Sequence, residues 1–284
     1  MTERVGFSFG RIVTIAANTF IESLRQKVYN ILLVFALVVI ASASFFSQFT
    51  FSEQLKFVKD FCLGAISVFG TLIAIVGTAQ LLPAELENRT IYTILAKPVR
   101  RGEFLLGKYL GSLWLVFLSV VVMSVMFGAA LYFKENRLVA ETRLDRNLSA
   151  EEAATTVTRI HREARDGDLV KGVALTFVKL CLLAAITLLF STVSTSMVFN
   201  VAMGFMAFLA GHLRGAVVEI LGEGRVIRGL LTVIPDLGAF NVADDIILGN
   251  AIPWEHCAHV ALYGVAYTTV VFVFAYLVFA DREI

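Results

Sequence analysis

Four short patterns in this sequence carry residue types capable of chemistry. Gly102-Glu103-Phe104-Leu105-Leu106-Gly107-Lys108 fills the first seven positions of a phosphate-binding loop, in which backbone N–H groups and the lysine hold phosphates. The eighth position is Tyr109, which has no small hydroxyl for magnesium, and an apolar helix follows where the motif needs a preceding strand. No nucleotide site is expected here. His256-Cys257-Ala258-His259 sets two imidazoles one helical turn apart beside a thiol, a trio suited to copper or zinc. A closed site usually wants four ligands, each oriented by further hydrogen bonds, so the pattern reads as an interfacial histidine pair without metal. His161-Arg162-Glu163 lacks the paired cysteines of a zinc deaminase. Cys62, Cys181 and Cys257 are scattered through apolar sequence and read as buried thiols. Catalytic residues and metal ligands are therefore expected to be absent.

The fourth pattern is a single charge, Lys179, interrupting a long apolar run. An intramembrane cation is expensive unless it is paired, faces a wet cavity or snorkels outward. It is expected either to line a substrate path, with Glu219 or Glu255 as possible partners, or to snorkel.

The elements that must hold these residues follow from composition. Of 284 residues 58% are hydrophobic and only 17% charged, and mean hydropathy is +0.79. A soluble domain carries about a quarter charged residues. A net charge of +1 gives no basis for nucleic-acid binding. Runs of roughly 20 apolar residues predict six transmembrane helices, at Tyr29–Phe49, Phe61–Leu82, Tyr109–Phe133, Gly172–Ser191, Ser196–Leu213 and Ala258–Phe279. The fourth and fifth are separated only by 191–196, which predicts a tight hairpin. The fold class is all-α, a polytopic membrane protein forming one domain over 1–284. No cleavable leader is expected, because the first long apolar run follows a charged amphipathic stretch.

That stretch, 9–28, predicts an interfacial helix. Val13, Ala17, Phe20, Leu24 and Val28 form one stripe, and Arg11, Asn18, Glu22 and Arg25 the opposite face. The basic residues before the first span favour a cytoplasmic N-terminus. The 83–108 loop is then cytoplasmic, and its own basic residues agree. The 134–171 segment would be external, against its content of Arg and Lys. Within it, Ser149-Ala150-Glu151-Glu152 has capping-box spacing, and Ala153, Val157, Ile160 and Ala164 predict a helix with a narrow apolar stripe. A solvated helical excursion is the simpler reading; an exit cover or partner contact is the other. The 214–256 segment is expected to be external and partly re-entrant. The Gly107-x-x-x-Gly111 and Gly211-x-x-x-Gly215 spacings permit close helix approach.

The stretch from Pro83 through Glu85, Glu87, Arg89, Thr90, Ile94, Leu95, Lys97, Pro98, Val99, Arg100 and Arg101 to Gly107-Lys108 brackets a short amphipathic segment with charge. It resembles the loop between the second and third spans of ABC-2 type ABC transporter permeases. The likeness is nearest to the branch containing the nitrous-oxide-reductase maturation and gliding-motility permeases. Ile15–Arg25 resembles the connecting helix of that family, and Ile234-Pro235-Asp236-Leu237-Gly238-Ala239-Phe240-Asn241 its outer segment before the last span. Arg89 stands where many members have glycine.

The resemblance implies an exporter fold with a second permease chain, as a homodimer or related heterodimer. It also implies a separate ABC ATPase subunit that binds ATP and Mg, so that this chain needs no cofactor and is not itself an enzyme. It assigns coupling to Glu85, Glu87, Arg89, Lys97, Pro98, Arg100 and Arg101, and an external gate to Pro235, Asp236, Phe240 and Asn241. Residence in a bacterial inner membrane, in contact with its lipids, follows from the same resemblance. A secondary transporter or channel, an intramembrane enzyme and a mechanical signalling subunit are the competing classes.

Overall fold

The computed structural model describes residues 8–50, 53–87, 100–145, 149–215 and 234–281. Ten α-helices occur among them: α1 (Phe9–Leu24), α2 (Lys27–Phe46), α3 (Gln54–Ala79), α4 (Leu81–Glu87), α5 (Arg101–Leu144), α6 (Ala150–Ala164), α7 (Asp168–Val193), α8 (Met197–His212), α9 (Ala243–Leu248) and α10 (Trp254–Asp281). Five helical stretches are long and apolar enough to cross a membrane. They contain α2, α3, α5, α7 and α10. The expected fifth of the six spans is α8, an apolar helix of 16 residues, shorter than the roughly 20 that a perpendicular crossing needs. It folds back on α7 through a three-residue connection, as the hairpin expectation requires.

The chain is arranged around α3 and α7, which pack on each other. α3 also touches α2, α5 and α8, and α7 touches α5, α8 and α10. The central helices bury Ile66, Ile73, Leu180 and Leu183, whereas α2 and α10 leave Ile31, Phe35, Val38, Leu262 and Val270 exposed. Apolar surface of that extent on long helices is the lipid-facing side of a membrane bundle. The protein is thus an all-α polytopic membrane protein.

The 134–171 segment differs from expectation. The span expected at Tyr109–Phe133 is the middle of a 44-residue helix, α5, about 66 Å long at 1.5 Å per residue, against a hydrocarbon core of about 30 Å. Between Ala129 and Leu144 no Pro or Gly stops it, and the Arg137–Glu141 pair (2.9 Å) braces the projecting turns. α6 starts at the expected capping box: Ser149 Oγ accepts the Glu152 N–H (3.3 Å), and Glu152 Oε2 accepts the Ser149 N–H (2.9 Å).

α6 is not simply solvated. Ile160 and Ala164 are buried in the main core, and α6 lies on the projecting end of α5. Buried Glu135 accepts from Arg165 Nε (3.1 Å) and bonds His161 Nδ1 (2.5 Å), while Lys59 pairs with Asp166 (3.2 Å). Arg165 is largely exposed, so Glu135→Gln is expected to weaken the docking by only about 1 kcal/mol. Amide exchange across 150–164 should rise about fivefold, with exchange in α3 unchanged.

Candidate functional site

One cluster of charged residues surrounds the first turns of α5, at the end of the bundle that carries α1. Glu103 sits at the third position of α5 and is 1% exposed. Its Oε1 accepts the Ser8 N–H (2.8 Å) and lies 3.5 Å from Arg11 Nη2; its Oε2 accepts the Arg100 N–H (3.2 Å). One carboxylate thus ties the start of α1 to the start of α5. An acid in the first turn also complements the positive end of the helix dipole.

One turn further on, Lys108 Nζ donates to Glu85 Oε1 of α4 (2.5 Å) and faces Glu22 Oε2 of α1 at 3.8 Å. Lys108 and Glu85 are both buried, so each answers the other's desolvation. Arg101 Nη1 donates to the Ala280 (2.7 Å) and Phe279 (3.3 Å) carbonyls in the last turn of α10, where helix carbonyls lack partners. Apolar packing underlies this cluster: Phe104 stacks on Phe279, and Leu81, Leu82 and Leu188 close the space beneath.

Glycine sets how near α1 and α5 come. A Cβ on Gly107 would stand 2.7 Å from Ile15 Cβ, and one on Gly111 2.6 Å from Thr19 Cβ and 2.7 Å from the Ala16 carbonyl. The first of the two glycine spacings is therefore a helix seam, and α1 meets it with Ile12, Ala16, Thr19 and Ser23. That face was not singled out in the sequence, because two of its four residues are polar. Of the expected apolar stripe, Val13, Ala17 and Val28 are exposed, while Phe20 and Leu24 are half-buried against the main core. The second spacing is half used: Gly211 takes Leu237 and the Pro235 carbonyl, while Gly215 has open space around it.

Of the expected coupling residues, Glu85 is a buried partner of Lys108, Arg101 fastens α10, and Arg100 is exposed at the start of α5. Arg89, Lys97, Pro98 and the side chain of Glu87 lie outside the described residues. Glu103, Lys108 and Glu22 complete the cluster. The signal for Glu103 and Lys108 was faint, charges in the opening turns of a strongly apolar helix, and Glu22 read only as part of the polar face of α1. The segment resembling a phosphate loop is helical throughout, and Tyr109 donates its hydroxyl hydrogen to the Cys181 carbonyl (2.9 Å).

The expected gate residues lie toward the α6 end. Pro235 and Phe240 are buried, Phe240 against Tyr263 and beside Gly264. Asp236 caps a turn by accepting the Gly238 (3.0 Å) and Ala239 (3.2 Å) N–H groups. Asn241 is exposed and lines the same cavity as Lys179, so two residues read separately in the sequence share one space. Lys179 neither snorkels nor pairs with Glu255. It is 4% exposed, and its Nζ donates to Ser67 Oγ of α3 (2.6 Å). Glu219 lies outside the described residues.

Cys257 is buried whereas His256 and His259 are exposed, and among the described residues no group of three or more His, Cys, Asp or Glu converges as a metal site. Cys62 and Cys257 are buried free thiols, and Cys181 is half-buried.

Long apolar helices around a buried polar minority define an all-α polytopic membrane protein. The family model described as ABC-2 family transporter protein matches residues 13–284, and the chain belongs to that family. No curated protein matches it.

Proposed function

We propose that this chain is the membrane-spanning subunit of an ATP-driven exporter, working as a dimer of permease chains with a separately encoded ABC ATPase. Family membership supports the permease class. One observation carries the coupling: the 83–108 segment is fastened at both ends to the same cluster. Glu85 enters it through Lys108, and Arg100 and Arg101 leave it through Glu103 and the end of α10. A push on that segment therefore reaches α1, α5 and α10 at once.

On this reading the α1 end is cytoplasmic, α8 is the sixth crossing, and the exposed Val13 and Ala17 of α1 lie in the lipid interface. Glu87, Arg89, Lys97, Pro98 and Arg100 meet the ATPase, while the buried Glu85, Glu103 and Lys108 pass its movement inward. The 234–241 segment at the other end gates the exit. The sequence resemblance supports a role nearest that of the nitrous-oxide-reductase maturation and gliding-motility branch, in a bacterial inner membrane.

Arg100 is the more accessible test of coupling, because its side chain is exposed at the start of α5, whereas Arg101 donates to the carbonyls of α10. Reversing Arg100 to Glu is expected to leave the purified permease folded and to lower permease-stimulated ATP hydrolysis about tenfold, the order of a lost charge-pair contact. Undiminished stimulation would remove Arg100 from the interface.

A further inference from the structure

A cavity of about 200 Å³ opens between α3, α7, α8 and α9, apart from the charged cluster at the α1 end. Lys179 lines it eleven residues into α7, about 16 Å along the helix and near the middle of a crossing of about 30 Å. The ammonium has three donors, and among the described residues it bonds one neutral hydroxyl, Ser67, and pairs with no carboxylate. A cation at that depth has given up most of its water, and no carboxylate among the described residues replaces it.

The rest of the lining has the opposite sign. Asp60 on α3 and Asp244 on α9 are both exposed and line the same cavity. Asp60 precedes Ser67 by seven residues, two turns or about 10 Å toward the α6 end. His212 and Asn241 are exposed polar groups of the same lining, and Leu63, Val68 and Phe208 give it apolar wall. A simple anion would pass two carboxylates to reach Lys179, and a simple cation would end against an ammonium.

We propose that this cavity binds a small solute with a carboxylate at one end and an ammonium at the other, on the scale of a tripeptide. The carboxylate sits on Lys179 and Ser67, and the ammonium between Asp60 and Asp244. Three extended residues span at most about 10 Å, which matches the separation along α3. The proposal names a substrate class for the permease reading and rests on that reading only for the solute being carried.

The test uses the purified full chain in nanodiscs of phosphatidylcholine, with trialanine as probe and ligand-induced thermal stabilisation as readout. Trialanine is expected to stabilise the wild type, with its C-terminal amide and its N-acetyl form binding at least tenfold more weakly. Lys179→Met should erase the preference for the acid over the amide, and Lys179→Arg should keep it. Asp60→Asn, at an exposed position that leaves the fold intact, should erase the preference for the free amino terminus. Equal binding of acid and amide by the wild type, or no stabilisation by trialanine, overturns the proposal. Adding phosphatidylglycerol separates the other source of an anionic group. If that lipid stabilises the wild type but not Lys179→Met while trialanine does nothing, Lys179 holds a lipid headgroup and the solute assignment falls. The assay contains no ATPase, so its failure leaves the permease reading standing, and failure to find an ATPase leaves the binding result standing.

Discussion

Lys108→Met is expected to destabilise the purified permease by about 3–5 kcal/mol, because it removes the buried cation that pairs with buried Glu85. The methionine fills much the same volume, so the loss comes from charge rather than packing. Glu22 offers no compensation, being an acid itself and 51% exposed. The same logic makes a specific statement about the pair. Glu85→Gln in the Lys108→Met background removes the buried charge that Lys108 balanced and should recover part of the loss. A double-mutant cycle in detergent, read by chemical or thermal unfolding, is expected to give a coupling energy of about 2 kcal/mol or more. Additive single effects would mean that the two side chains do not interact, and the mechanical link from α4 to α5 would lose its main contact.

The second large effect lies in the seam between α1 and α5. Gly111→Ala places a methyl group 2.6 Å from Thr19 Cβ and 2.7 Å from a backbone carbonyl, neither of which is the far end of a flexible side chain. α1 must move outward, at a cost of about 1–3 kcal/mol, and the bond from the Ser8 N–H to Glu103 should open with it. Gly128 on the same helix has nothing within 4 Å of the place a methyl group would take, and Gly128→Ala should be neutral or mildly stabilising through helix propensity. Hydrogen exchange across 9–24 distinguishes the two: it should accelerate in Gly111→Ala and stay unchanged in Gly128→Ala. Equal exchange in both variants would mean that α1 is not held by that seam.

What the sequence made legible follows from the range of the interactions involved. Apolar runs mark where a helix meets lipid, and they located each long helix among the described residues. They did not mark where α5 ends, because that depends on the absence of a breaker and on pairs such as Arg137–Glu141, which hydropathy ignores. The capping box at Ser149 was readable because its partners lie three residues apart. The partners of Lys179 and Glu103 were not, since Ser67 is 112 residues from Lys179 and Ser8 is 95 from Glu103. The glycine spacing at 107 and 111 was visible, but which helix it receives is a tertiary fact. α1 was read by its apolar stripe, whereas the face it buries most deeply mixes Ile12 and Ala16 with the polar Thr19 and Ser23 and meets the glycines of α5.

The charged cluster gives the expected coupling residues two distinct roles. Glu85 and Arg101 hold helices together, so changing them disturbs the fold as well as any partner contact. Arg100 is the described residue at which a contact with an ATPase is most cleanly tested. The decisive measurement is affinity purification of this chain from its native membrane in mild detergent, wild type beside Arg100→Glu with Glu87→Lys, followed by identification of what accompanies it. The account predicts that an ABC ATPase is recovered with the wild type and lost from the variant while the permease itself stays folded. A stable, folded wild-type chain recovered without any ATPase would contradict it.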